Sequence, residues 1–179
     1  MKSRKLHQKW LRKLSLIVFA AFLVFFKLIP FTHVPSIYPS PDIMFCIFCA
    51  LIIRRPEMVP YWMIVLIYFG FDVFLMKPLG VWSACILVAT EVFRANRDAF
   101  RENLFLYEWF YASLIFFLAL MGNRIILSIS FVPTQPMLTM FWEFIFTVMI
   151  YPIIIFIITY ILRIQKPALG AFGFKGQKL

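Results

Sequence analysis

Five acidic residues border or interrupt apolar stretches of this chain: Asp42, Asp72, Glu91, Glu108 and Glu143. A carboxylate held in an apolar helix can line a proton or ion path, activate water in an intramembrane hydrolase, or pair with a cation. Their depths divide them. Asp72 and Glu143 fall toward one end of their segments, whereas Glu91 and Glu108 fall toward the other, beside Arg94 and Arg101. That separation predicts an interfacial role for Glu91 and Glu108 and a structural one for Asp72 and Glu143, with Lys77 and Arg124 as ion-pair partners. Asp42, directly after Pro41, has the position of a helix N-cap.

Cys46 and Cys49 have the C-x-x-C spacing of redox and zinc sites. They lie in an apolar run with no second pair and no nearby His, and His7 and His33 belong to opposite sides of a bilayer, so no ligand set is completed. The thiols, with Cys85, are expected to be packing residues. The chain has no Ser/His/Asp set, His-rich set or Gly-rich phosphate loop. We therefore expect no enzyme, no cofactor and no metal centre.

The elements that carry these residues are set by hydropathy. Of 179 residues, 63% are apolar and 20% aromatic, and the mean hydropathy is +0.89. Soluble domains are about half apolar, so composition argues against a water-soluble fold. The formal charge of +10 is not gathered on one face. Fifteen of eighteen Lys and Arg residues fall in four clusters: Lys2–Lys13, Arg54 and Arg55, Arg94 to Arg101, and Arg163–Lys178. Cations in short loops mark the cytoplasmic side, which predicts an even number of spans with both termini cytoplasmic. Anionic lipid, at roughly 1 kcal/mol per juxtamembrane cation, is the expected surface partner, and nucleic acid is not.

The pattern predicts an all-α polytopic membrane protein of six transmembrane helices, forming one domain over 1–163, with a basic, disordered cytoplasmic tail over 164–179. An uncleaved first span covers about 14–28, and Pro30 closes it. A proline-rich loop, 31–41, leads to a second run, Asp42–Ile53, which is too short to cross alone and is therefore expected to be buried among other helices. The third span covers about 59–76 and contains Gly70. Gly80 opens the fourth, about 81–93, and Ser83 and Ala84 there permit close packing, as Gly70 and Gly80 are expected to do. The segment 94–102, which alternates cations with Asp98 and Glu102, is read as a solvated interfacial turn or helix. The fifth span, about 104–126, begins with an aromatic band, Tyr107 and Trp109–Tyr111, of the headgroup type. The sixth, about 137–162, holds Pro152, which predicts a kink.

The order of these signals resembles the rod shape-determining protein MreD family. Pro41-Asp42 opens the second span, Arg55-Pro56 closes it, Pro60 starts the third, Gly70-Phe71-Asp72 lies near its end, and Gly80 opens the fourth. These motifs cover about residues 38 to 95. The resemblance implies a non-enzymatic scaffold in the bacterial inner (cytoplasmic) membrane. Its partner would be the bitopic protein MreC and, through it, the MreB filament and the peptidoglycan synthase of the elongation machinery. It also implies a fold similar to the substrate-binding subunits of energy-coupling-factor transporters. A solute-binding transporter subunit is accordingly the alternative function. Pro41, Asp42, Pro56, Gly70, Asp72 and Gly80 carry over as architectural positions. Glu143 joins them as a partner-binding candidate from its own chemistry.

Overall fold

The computed structural model describes residues 14–15, 17–23, 25, 39–97 and 105–161. Six helices follow in order: α1 within 14–25, α2 Ile43–Arg54, α3 Tyr61–Phe74, α4 Val81–Ala95, α5 Phe105–Ile129 and α6 Met137–Phe156. A 3-10 turn, Pro56–Met58, joins α2 to α3, and π-helical turns, Ile157–Ile161, extend α6. There is no strand among the described residues, so the architecture is all-α. The expectations for the N-terminal cluster 2–13, Lys27 and Pro30, both histidines, the loop up to residue 38, residues 98–104 and the tail lie outside the described residues.

The centre of the bundle is α2. Its sequence is apolar on every side, the signature of a helix enclosed by others, and ten of its twelve residues are buried. It packs on α4 and α6, and the Phe45 ring stands 4.9 Å from Phe116 of α5. Twelve residues at 1.5 Å each give about 18 Å, well short of the roughly 30 Å of a hydrocarbon core. Other helices enclose it, as expected for this short run. The helix stops at Arg54 because the residue before a proline is driven out of the α region, and Arg55 precedes Pro56 with ψ 69°.

Two helices, Phe105–Ile129 and Met137–Tyr160, are long and apolar enough to cross a membrane, with only 28% of the apolar window buried in each. By contrast, α3 and α4 have 14 and 15 residues, roughly 21 to 23 Å. The reason for the early end of α3 is local. Asp72 O accepts from Lys77 N–H at 3.0 Å and Val73 O from Met76 N–H at 3.4 Å, the paired closure of a Schellman motif. Its left-handed residue is Met76, at φ +51°, where glycine is usual. The end of α5 repeats the device: Val132 N–H bonds Leu127 O at 3.0 Å, Phe131 N–H bonds Ser128 O at 3.2 Å, and Phe131 has φ +55°.

The two glycines differ from the packing role expected of them. Gly80 is required by its backbone, at φ +83° immediately before α4, a region that L side chains rarely adopt. A Cβ at Gly70 would meet nothing within 4 Å, so close helix approach is not what places glycine there.

Pro152 lies within α6, and its missing N–H leaves the carbonyl of Val148, four residues earlier, without its helical donor. The Trp109 indole of α5 donates to that oxygen at 2.9 Å. Trp109 is thereby pinned to the proline break, a role different from the headgroup anchor expected of it. Tyr107 and Phe110, its neighbours in the aromatic band, do remain exposed.

Candidate functional site

Three buried polar nodes and one open cavity carry the chemistry of this bundle. The first node is Asp42. Its Oδ1 accepts from Phe45 N–H at 3.0 Å, capping α2, and from the Tyr68 hydroxyl of α3 at 2.9 Å. Its own N–H donates to Thr147 Oγ1 of α6 at 3.0 Å, and that hydroxyl donates to Glu143 O at 2.7 Å. One residue thus fixes the start of α2 against two other helices. The cap alone contributes about 1 kcal/mol, and losing it would also strand a fully buried tyrosine hydroxyl, at about 1–3 kcal/mol.

Asp72, fully buried in α3, forms the second node. The expected ion pair with Lys77 or Arg124 is not formed. Instead Oδ2 accepts from the backbone N–H groups of Gly80 at 3.1 Å and Ser83 at 3.4 Å. These are donors at the start of α4 that have no partner within their own helix. A carboxylate there also faces the positive end of the α4 dipole. Its second oxygen, Oδ1, is buried without a hydrogen-bond partner.

The third node corrects the sequence reading most directly. Glu108, expected at the interface, is fully buried and pairs with Arg54 at 3.1 Å. The same Oε1 accepts from the Tyr151 hydroxyl at 3.2 Å, and Arg54 Nη1 also donates to Ala50 O at 3.2 Å. Arg54, read from sequence as a surface charge, is only 5% exposed. It ties α2, α5 and α6 together, leaving Arg55 as the exposed member of that cluster. Glu91, as expected, is partly exposed and pairs with Arg94 at 3.3 Å. Arg94 in turn donates to Val59 O at 2.6 Å and covers the Tyr61 ring at 4.8 Å.

At the opposite end, a cavity of about 300 Å³ opens between the α3–α4 turn, the end of α5 and the start of α6. Lys77, Trp82, Asn123, Arg124, Gln135 and Glu143 line its polar part. A second, apolar furrow of about 360 Å³ runs between α4 and α5, floored by Ala84, Cys85, Ala89, Ala119 and Gly122.

The structure links Asp42 and Glu143 through Thr147, and links Asp72 and Gly80 directly. Pro41 supplies a carbonyl to Ile43 N–H at 3.1 Å beside the Asp42 cap. Pro56 starts the 3-10 turn. Gly70 joins neither node. Cys46 and Cys49 are buried and unbridged, and Cys46 Sγ donates to Thr147 O at 3.6 Å. Among the described residues no three His, Cys, Asp or Glu side chains could share a metal ion. Sequence reasoning missed Tyr68, Thr147, Tyr151 and the pairing of Arg54 with Glu108. The available signal was Arg54 itself, a charge continuous with an apolar run that had to be enclosed. No protein-family model, curated protein or solved structure matches this chain.

Proposed function

We propose that this protein is a non-enzymatic membrane scaffold of the MreD type, with six spans and both termini cytoplasmic, which binds an MreC-like bitopic protein in the bacterial inner membrane. The observation that carries the reading is how the motif residues are used. Asp42, Asp72 and Gly80, the core of the resemblance, are engaged in capping and joining helices, which suits a scaffold better than a reaction centre. The described cations support the orientation. Arg54, Arg55, Arg94 and Arg97 belong to the end where α2 and α4 finish, as inward-facing positive charge requires. On this reading the short helices α2, α3 and α4 are accommodated by enclosure and by local thinning of the bilayer. The furrow between α4 and α5 supplies the small residues on which helix association in lipid relies.

Affinity capture of the full chain from native membranes tests the proposal: a bitopic coiled-coil protein should be recovered with it. Recovery of no such partner would remove the scaffold reading. Reporter fusions after Arg94 and after Ser130 should report cytoplasm and periplasm respectively.

The alternative, a solute-binding transporter subunit, is favoured by one observation, the polar-lined cavity beside Trp82. Substitutions at Asp72 and Glu143, with partner recovery and protein level measured together, separate the two. A transporter loses solute uptake while remaining folded and partnered.

A further inference from the structure

The described cations outside the basic end are Lys77 and Arg124, and both line the same cavity of about 300 Å³. Neither forms an ion pair with a carboxylate among the described residues. The Lys77 ammonium stands 5.6 Å from the centre of the Trp82 ring. Arg124 spends one N–H on Gln135 O at 2.9 Å, which leaves the remaining guanidinium donors available to a ligand. Two cations converging on one cavity repel each other, and an anion between them removes that repulsion.

The lining also limits which anion. Glu143 stands on the same wall, so among the described lining residues two cations face one carboxylate, a formal charge of +1, equal and opposite to a phosphodiester. A bare inorganic ion would leave most of the volume empty. The apolar wall includes Leu120 and Leu127, and Met76, 95% exposed, stands at the rim. Cations beside apolar side chains match the junction between a phosphate headgroup and its glyceride.

We infer that this cavity is a phosphate-ester site occupied by the headgroup of an outer-leaflet phospholipid, with Lys77 and Arg124 binding the phosphate. The source of the ester rests on the membrane reading above; the phosphate site itself does not.

The test uses the full chain, purified in detergent and stripped of lipid, with binding followed by native mass spectrometry. The probes are dihexanoyl phosphatidylglycerol, glycerol 3-phosphate and dihexanoylglycerol. The wild type should take up one equivalent of the phospholipid and none of the phosphate-free diglyceride. Lys77→Gln combined with Arg124→Gln should weaken uptake by at least about tenfold, the loss of charge-assisted bonds to phosphate. The charge-retaining pair Lys77→Arg and Arg124→Lys should preserve it, with thermal melts confirming that both variants fold. Uptake unchanged in the glutamine variant, equal uptake of the diglyceride, or no uptake of either ester overturns the site. Glycerol 3-phosphate bound as tightly as the lipid upholds the site and assigns it to a soluble ester. That outcome counts against the membrane source alone, and partner recovery remains a separate readout.

Discussion

Glu108→Gln isolates the buried charge at the basic end of the bundle. The carboxylate is fully buried, its partner Arg54 is 4% exposed at the side chain, and the two are 3.1 Å apart. At an effective dielectric of about 20 that separation corresponds to roughly 5 kcal/mol of Coulomb attraction. Glutamine keeps an oxygen for the Tyr151 hydroxyl and removes only the charge, leaving an enclosed guanidinium whose remaining partner is Ala50 O. The expected loss of stability is therefore about 3–5 kcal/mol, the range for a buried pair deprived of one member. Arg54→Met added to Glu108→Gln removes the stranded cation and should recover most of that loss, to within about 1 kcal/mol of wild type. Unfolding in mixed micelles by added SDS, followed by tryptophan fluorescence, measures both variants and the coupling between them. A loss below about 1 kcal/mol for Glu108→Gln, or a double variant no more stable than the single one, would refute burial of the pair.

The left-handed residues give substitutions of opposite sign. Met76→Gly relieves an L residue at φ +51° whose side chain is 95% exposed. After the entropy cost of glycine it should raise stability by up to about 1 kcal/mol. Gly80→Ala, at φ +83°, should lower it by about the same amount, and the SDS midpoint reads both. Trp109→Phe removes the indole donor from Val148 O and should cost about 1–3 kcal/mol for a stranded carbonyl. Adding Pro152→Ala restores a helical N–H to that oxygen and should return most of the loss. A double variant that recovers nothing would show that the indole does not replace the proline's missing donor.

Periodicity and local chemistry carried the helices a long way. Asp42 as a cap, the enclosure of Asp42–Ile53, the stop at Arg55-Pro56 and the start of α4 after Gly80 all follow from rules spanning a few residues, and the structure agrees with each. The end of α3 was less legible, because a Schellman closure on methionine gives no glycine to read. The site was less legible still. Arg54 lies 54 residues from Glu108, Thr147 lies 105 from Asp42, and Trp109 lies 39 from Val148.

What the sequence determined by itself is where apolar runs begin and end and where the cations cluster, since capping, proline geometry and side-chain polarity act locally. Only the tertiary structure decided which polar groups are enclosed and with whom they pair. Arg54 and Arg55 are neighbours of identical type, yet packing buries one against Glu108 and leaves the other in the open. Lys77, in the link after α3, and Arg124, within α5, line one cavity because α3, α4 and α5 meet there. The cost of enclosing a charge depends on the atoms around it, and those come from distant parts of the chain.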